Sequence, residues 1–178
     1  FAEGKLVDLC APDRSVRDWS LRLIQRAIDK TVMIRPGFSG DARIVLHLGG
    51  MSMDGGGEES QVLMGRAVEE FKQIDAKGTI LLPENLPPRP WYLGGQWFQN
   101  AFVSPEQMAE FCAELGLGMT FDVSHAQLYC AFQDRDLLDY VRICSGIIRH
   151  VHFADANGID GQGVQIGDSP AVADVRAL

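Results

Sequence analysis

Helix-patterned and strand-patterned segments alternate along this chain, and that alternation restricts its fold more than any other feature. Asp13 or Ser15 can cap a helix running to about Lys30, with Leu21, Ile24 and Ile28 at helical spacing. "RIVLHLGG" is a short apolar run ending in glycines, as a buried strand does. Residues 58–75 read as a second helix, with Leu63, Ala67, Phe71 and Ile74 on its apolar face; Gly78 ends it and "TILLPEN" is the next strand. After a long loop, Ser104-Pro105-Glu106-Gln107 opens a third helix, with Ser as cap, Pro in the first turn and Gln three residues past the cap; Gly116 stops it. "GMTFDVSH" is a strand, "AQLYCAF" and "QDRDLLDYVRICSG" are helical in pattern, and "IIRHVHFADA" is a strand. A Gly-rich loop and a final short helical stretch complete the order. Continuous apolar strands separated by helices predict a parallel sheet with helices outside.

At 178 residues the chain is long enough for one domain with a sizeable core. No apolar run approaches the length of a membrane span. The net charge is −8 and the basic residues are scattered, which argues against extended nucleic acid as a partner. Cys10, Cys112, Cys130 and Cys144 form no CxxC pair and read as buried free thiols in a reducing compartment. With no secretory signal at "FAEGKLVDLC", the expected location is cytoplasmic. The chain opens without Met inside what looks like a loop, so a piece of a longer protein is expected.

In parallel α/β folds ligands bind at the carboxyl ends of the strands. His47 lies near the end of the first strand, Glu84 ends the second, Asp122 ends the third, and His150 and His152 lie near the end of the fourth; His125 follows Asp122 by three residues. All four histidines and two carboxylates therefore fall on one predicted rim. Side chains alternate along a strand, so His150 and His152 share a face, as do Thr120 and Asp122. Glu84, Asp122 and His152 would supply a divalent cation with three ligands and leave positions open for substrate oxygens. Each has an ordinary reading taken singly: Asp122 as a helix cap, His47 as a core histidine, Glu84-Asn85 as turn chemistry before two prolines. Their joint placement at buried strand ends argues for function.

Other motifs fail their context. "GQGVQIG" does not open directly into a helix, so it is not a dinucleotide loop. There is no GK[ST], and Ser124 lacks a GxSxG elbow. The loop "LPPRPWYLGGQWFQNAF" is long and rich in aromatics, and such loops are often functional. It begins at Glu84, so Trp91 or Trp97 is expected to line the pocket wall, where a sugar's C–H faces pack on the ring.

"VLHLGG", "LLPENLP", "FDVSHA", "HVHFADANG" and "QIGD", in that order, resemble the xylose-isomerase-like sugar phosphate isomerase/epimerase superfamily, which also contains the apurinic-site endonucleases. The resemblance implies a (β/α)8 TIM barrel, here incomplete. About four central βα units would form a single domain over residues 1–178 without its first and last strands. It implies a divalent metal (Mn, Mg, Zn or Co) held by Glu84, Asp122 and His152, with His150 a supporting neighbour. It makes His125 a substrate contact, or in the endonucleases a ligand of a further metal, and places His47 on the pocket wall. Trp91 and Asp155 complete the expected substrate contacts. The family's fourth ligand, a glutamate on the last strand, would lie past Leu178.

The implied function is metal-dependent isomerisation or epimerisation of a sugar or sugar phosphate, by proton abstraction next to a carbonyl. Glu84 and His125 are the catalytic candidates. Two alternatives stand beside it: metal-dependent phosphodiester cleavage of the apurinic-site endonuclease type, and a non-catalytic sugar-binding barrel. "ENLPPRPWYLGG" and "DANGIDGQGVQIGD" also resemble isomerase-like domains joined to sialic-acid-type sugar biosynthesis proteins. The expected partner is a small-molecule sugar, with neither nucleic acid nor membrane; homo-oligomer and fusion to other domains both stay open.

Overall fold

A computed structural model describes residues 5–158 and 160–167. Four strands, β1 (Arg43–Leu46), β2 (Ile80–Pro83), β3 (Met119–Asp122) and β4 (Ile148–His152), lie in sequence order and run parallel. β1 pairs with β2 from Arg43↔Ile80 to Leu46↔Pro83, and β3 with β4 from Met119↔Ile148 to Asp122↔His152. A single parallel bridge, Glu84↔Thr120, joins the two ladders. Helices α1 (Arg14–Ile34), α2 (Ser60–Phe71), α3 (Pro105–Leu115), α4 (Val123–Gln133) and α5 (Leu137–Cys144) connect and flank them. This is the parallel α/β order that the patterning predicts, a section of a barrel wall.

Local chemistry sets the helix ends. Asp13, rather than Ser15, caps α1 by accepting from the Ser15 amide. α1 runs to Ile34, past the expected Lys30, because nothing in the sequence stops it before Pro36. Ser104 and Gln107 form the expected capping box on α3, and Gly116 ends that helix at φ 65°. α2 is shorter than residues 58–75. "QDRDLLDYVRICSG" is not one helix: Asp134 turns left-handed at φ 52° and Asp136 caps a new helix at the Leu138 amide.

The core lies between sheet and helices, centred on Phe111, whose ring meets Phe71 and Phe102 edge-on at 5.8 and 5.1 Å. All four cysteines are free and buried, as expected. No helix among the described residues is long and apolar enough to cross a membrane.

Loop segments contain short paired strands: Met51–Ser52 pairs antiparallel with Phe98–Gln99. Trp91–Tyr92 and Gly95–Gln96 form a two-residue hairpin, and Leu93 and Gly94 occupy its turn at φ 53° and 81°, as a type I′ turn requires. Asp155–Asn157 pairs with Gly161–Val164 in a second hairpin after β4. The final helical stretch read from the sequence, and Asp168 of "QIGD", lie outside the described residues.

Candidate active site

Strand alternation turns Glu84, Thr120, Asp122, His150 and His152 toward one face, and the register sets Asp122 directly beside His152. The Glu84 carboxylate, 3 % exposed, is the hub. Its Oε2 meets His47 Nε2 at 3.0 Å and its Oε1 meets His152 Nδ1 at 3.0 Å. His125 Nδ1 stands 3.8 Å from Glu84 Oε1 and 3.8 Å from Asp122 Oδ1. Burial alone would raise the Glu84 carboxyl. The hydrogen bond from His47, the charges of His47 and His125 and the hydrogen bond from His152 outweigh burial and hold it below the ordinary carboxylate range.

Asp122 divides its two oxygens between two tasks. Oδ1 accepts from the His125 amide and the Ser124 hydroxyl, both at 2.9 Å, and so caps α4. Oδ2 faces His152 Nδ1 at 3.8 Å. The capping reading of Asp122 and the ligand reading are therefore compatible, one oxygen serving each.

Glu84, Asp122 and His125 form a buried group whose donor atoms lie within 4.8 Å of one another, so these side chains could hold a metal ion. His125, however, has Nδ1 2.8 Å from the Asn85 carbonyl oxygen. A carbonyl only accepts, so that nitrogen carries a proton and is not a lone-pair donor. His152 Nδ1 also carries a proton where it donates to Glu84 Oε1, but both its partners are carboxylates, and a cation taking that proton's place would leave no buried carbonyl unpaired. This nitrogen's distances of 3.0 Å to Glu84 Oε1 and 3.8 Å to Asp122 Oδ2 suit an ion with bonds of roughly 2.0–2.2 Å. The set of two carboxylates and an imidazole thus fits a divalent cation. The His150 ring packs edge-on against that of His152 at 5.2 Å, as a neighbour would.

A cavity of about 440 Å³ opens beside Glu84 and His47, walled chiefly by apolar residues including Val45, Leu86, Pro87 and Pro90. The aromatic hairpin contributes Tyr92 to that wall, where neither Trp91 nor Trp97 appears. Trp91 is 57 % exposed and donates through Nε1 to Asp160 at 3.3 Å. Trp97 donates to the Tyr92 carbonyl at 3.0 Å. Adjacent residues of a strand point to opposite faces, so the hairpin turns Tyr92 toward the cavity and Trp91 away from it. Burial, and then the negative charge of Glu84, push the Tyr92 phenol up. Asp155, expected to touch substrate, is 1 % exposed and accepts from the amides of Ala156 at 2.9 Å and Gly167 at 3.1 Å. In this position it ties the segment that follows the second hairpin back to that hairpin's first strand.

Sequence reasoning missed Asn85, Tyr92 and Asp160. Asn85 is fully buried, with its side chain bound to both the amide and the carbonyl of Asp122. Alternation within "WYLGGQ" could have singled out Tyr92 once a hairpin was recognised there.

The solved structures similar to this chain include a D-tagatose 3-epimerase-like protein, with TM-score 0.70, 20 % identity, and coverage of 96 % of this chain and 59 % of that one. A D-psicose 3-epimerase in the presence of D-fructose matches at TM-score 0.62 and 15 % identity, over 83 % of this chain and 48 % of that one. Endonuclease IV from Thermus thermophilus matches at TM-score 0.55 and 19 % identity, over 86 % of this chain and 52 % of that one. The chain thus spans between about half and three-fifths of these proteins, and at such identities the likeness is one of fold. No curated protein matches the sequence. The family model described as xylose isomerase-like TIM barrel matches residues 2–178, and the chain belongs to that family.

Proposed function

We propose that this protein is a divalent-metal-dependent isomerase or epimerase acting on a sugar or sugar phosphate, with Glu84, Asp122 and His152 as metal ligands. The observation that carries the reading is the placement of His152 Nδ1, 3.0 Å from Glu84 Oε1 and 3.8 Å from Asp122 Oδ2, with the other Asp122 oxygen engaged in the α4 cap. A divalent ion bound there supplies Lewis-acid polarisation of a carbonyl oxygen. Glu84, held ionised by its imidazole neighbours, is the group to take a proton from carbon, and His47 on Oε2 orients it. His125, fixed by its Nδ1–H on Asn85, keeps Nε2 for a substrate hydroxyl. The similarity to sugar 3-epimerases supports the substrate class.

The test is solvent exchange. Incubated with Mn²⁺ in D₂O and a panel of ketohexoses and their phosphates, the protein should place deuterium on the carbon beside the carbonyl of at least one of them, and Glu84→Gln should abolish this. Metal binding with no exchange across the panel would leave a binding barrel in place of an isomerase.

A further inference from the structure

β2 ends at Pro83, and Glu84 makes the last backbone bridge to β3 before the chain turns away into Leu86-Pro87-Pro88. Past that point no main-chain ladder among the described residues holds the two strand ends together, although they carry the two carboxylates of the site. The Asn85 side chain continues the ladder. Its Oδ1 accepts from the Asp122 amide at 2.8 Å, and its Nδ2 donates to the Asp122 carbonyl at 2.9 Å. A side-chain amide thereby offers Asp122 the same donor and acceptor that a strand residue would. Its own backbone carbonyl accepts from His125 Nδ1 at 2.8 Å. All three bonds are buried, where no water can substitute.

We propose that Asn85 is a positioning residue of the site: it sets the separation of Glu84 from Asp122 and fixes His125 in the Nδ1–H tautomer, leaving its Nε2 lone pair for ligand. The proposal rests on the reading of Glu84, Asp122 and His152 as a metal site. Few other side chains meet the geometry. Aspartate cannot donate to the Asp122 carbonyl, alanine leaves two buried main-chain groups unpaired, and glutamine carries the amide one methylene too far. A buried amide that served stability alone would lower the melting temperature on replacement without changing how the site holds a cation.

Two measurements on the metal-free protein test this. In the first, Mn²⁺ alone is titrated calorimetrically into wild type, Asn85→Gln, Asn85→Ala and Met108→Ala, the last a core change on α3 that calibrates the effect of destabilisation. The Asn85 variants should bind Mn²⁺ roughly 10- to 100-fold more weakly, as loss of a group that orients a ligand does; Met108→Ala should bind as wild type does despite a lower melting temperature. Wild-type affinity in a folded Asn85 variant overturns the proposal. In the second, long-range ¹H–¹⁵N spectra of histidine-labelled wild type should show His125 as the Nδ1–H tautomer, the state that donation to the Asn85 main-chain carbonyl requires. An Nε2–H His125 in wild type overturns the proposal even if no variant folds. Wild type that binds no Mn²⁺ refutes the metal reading, and the tautomer then still judges Asn85.

Discussion

Burial would raise the pKa of both Asp8 and Glu84, yet only Asp8 ends above the ordinary carboxylate range while Glu84 ends below it. Asp8 ties the N-terminal segment to the loop after β1. Its Oδ1 accepts from the Cys10 amide at 2.8 Å and the Gly50 amide at 3.1 Å, and it packs so closely on Gly49 that a Cβ there would lie 2.0 Å from the carboxylate. Those amide dipoles and the more distant Arg66 do not offset the loss of solvent. Glu84 has His47, His125 and His152 around it, and their hydrogen bonds and electrostatic influence, His47 first, more than offset the same loss. A buried carboxylate held by dipoles serves as a clasp; one ringed by imidazoles keeps its charge available to a cation.

Four experiments press on this contrast. Glu84→Gln should have the largest effect: with one charge of the site gone, Mn²⁺ affinity should fall by more than the roughly 10- to 100-fold typical of a supporting residue. Unchanged affinity would mean that the imidazole ring around Glu84 has no bearing on cation binding. The two oxygens of Asp122 can be separated next. Asp122→Asn retains an acceptor for the α4 cap and should lose Mn²⁺ affinity at a near-normal melting temperature, whereas Asp122→Ala should lose a further ~1 kcal/mol of stability as a cap is removed. Equal stability in the two variants would remove the capping role.

The third change turns on pH. A carboxyl whose folded pKa is raised contributes stability that is fully present below its unfolded value, about 3.9, and is lost as pH rises through the folded value. Replacing Asp8 with Asn removes that penalty while keeping an acceptor for the Cys10 and Gly50 amides. The melting temperature of Asp8→Asn relative to wild type should therefore rise between about pH 4 and pH 7; a pH-independent offset would show that Asp8 is not raised. The smallest effect belongs to Trp91→Ala, which removes an exposed ring and one hydrogen bond to Asp160 and should cost less than about 1 kcal/mol in chemical denaturation. Tyr92→Ala opens the cavity wall beside Glu84 and should impair the proposed reaction more than Trp91→Ala does; the reverse order would return Trp91 to the site.

The alternation of apolar strands with capped helices determined the parallel order of β1 to β4, because burial on both faces demands continuous apolar runs and helical crossovers demand periodic ones. It also placed His47, Glu84, Asp122 and His152 at strand ends, since a two-residue period fixes which face each side chain takes. Tertiary structure decided the rest. Which Asp122 oxygen caps α4 and which faces His152 depends on the pairing of β3 with β4, which sets Asp122 against His152. The role of Asn85 depends on a partner 37 residues away, and that of Glu84 on one 68 residues away. Tyr92 faces inward and Trp91 outward because a positive-φ turn at Leu93-Gly94 folds the loop into a hairpin, where sequence composition alone leaves the two rings equivalent. Local patterning encodes the period and the ends of each element; the hydrogen bonds that assign roles form only after distant strands have met, and they pair atoms that no short stretch of sequence contains.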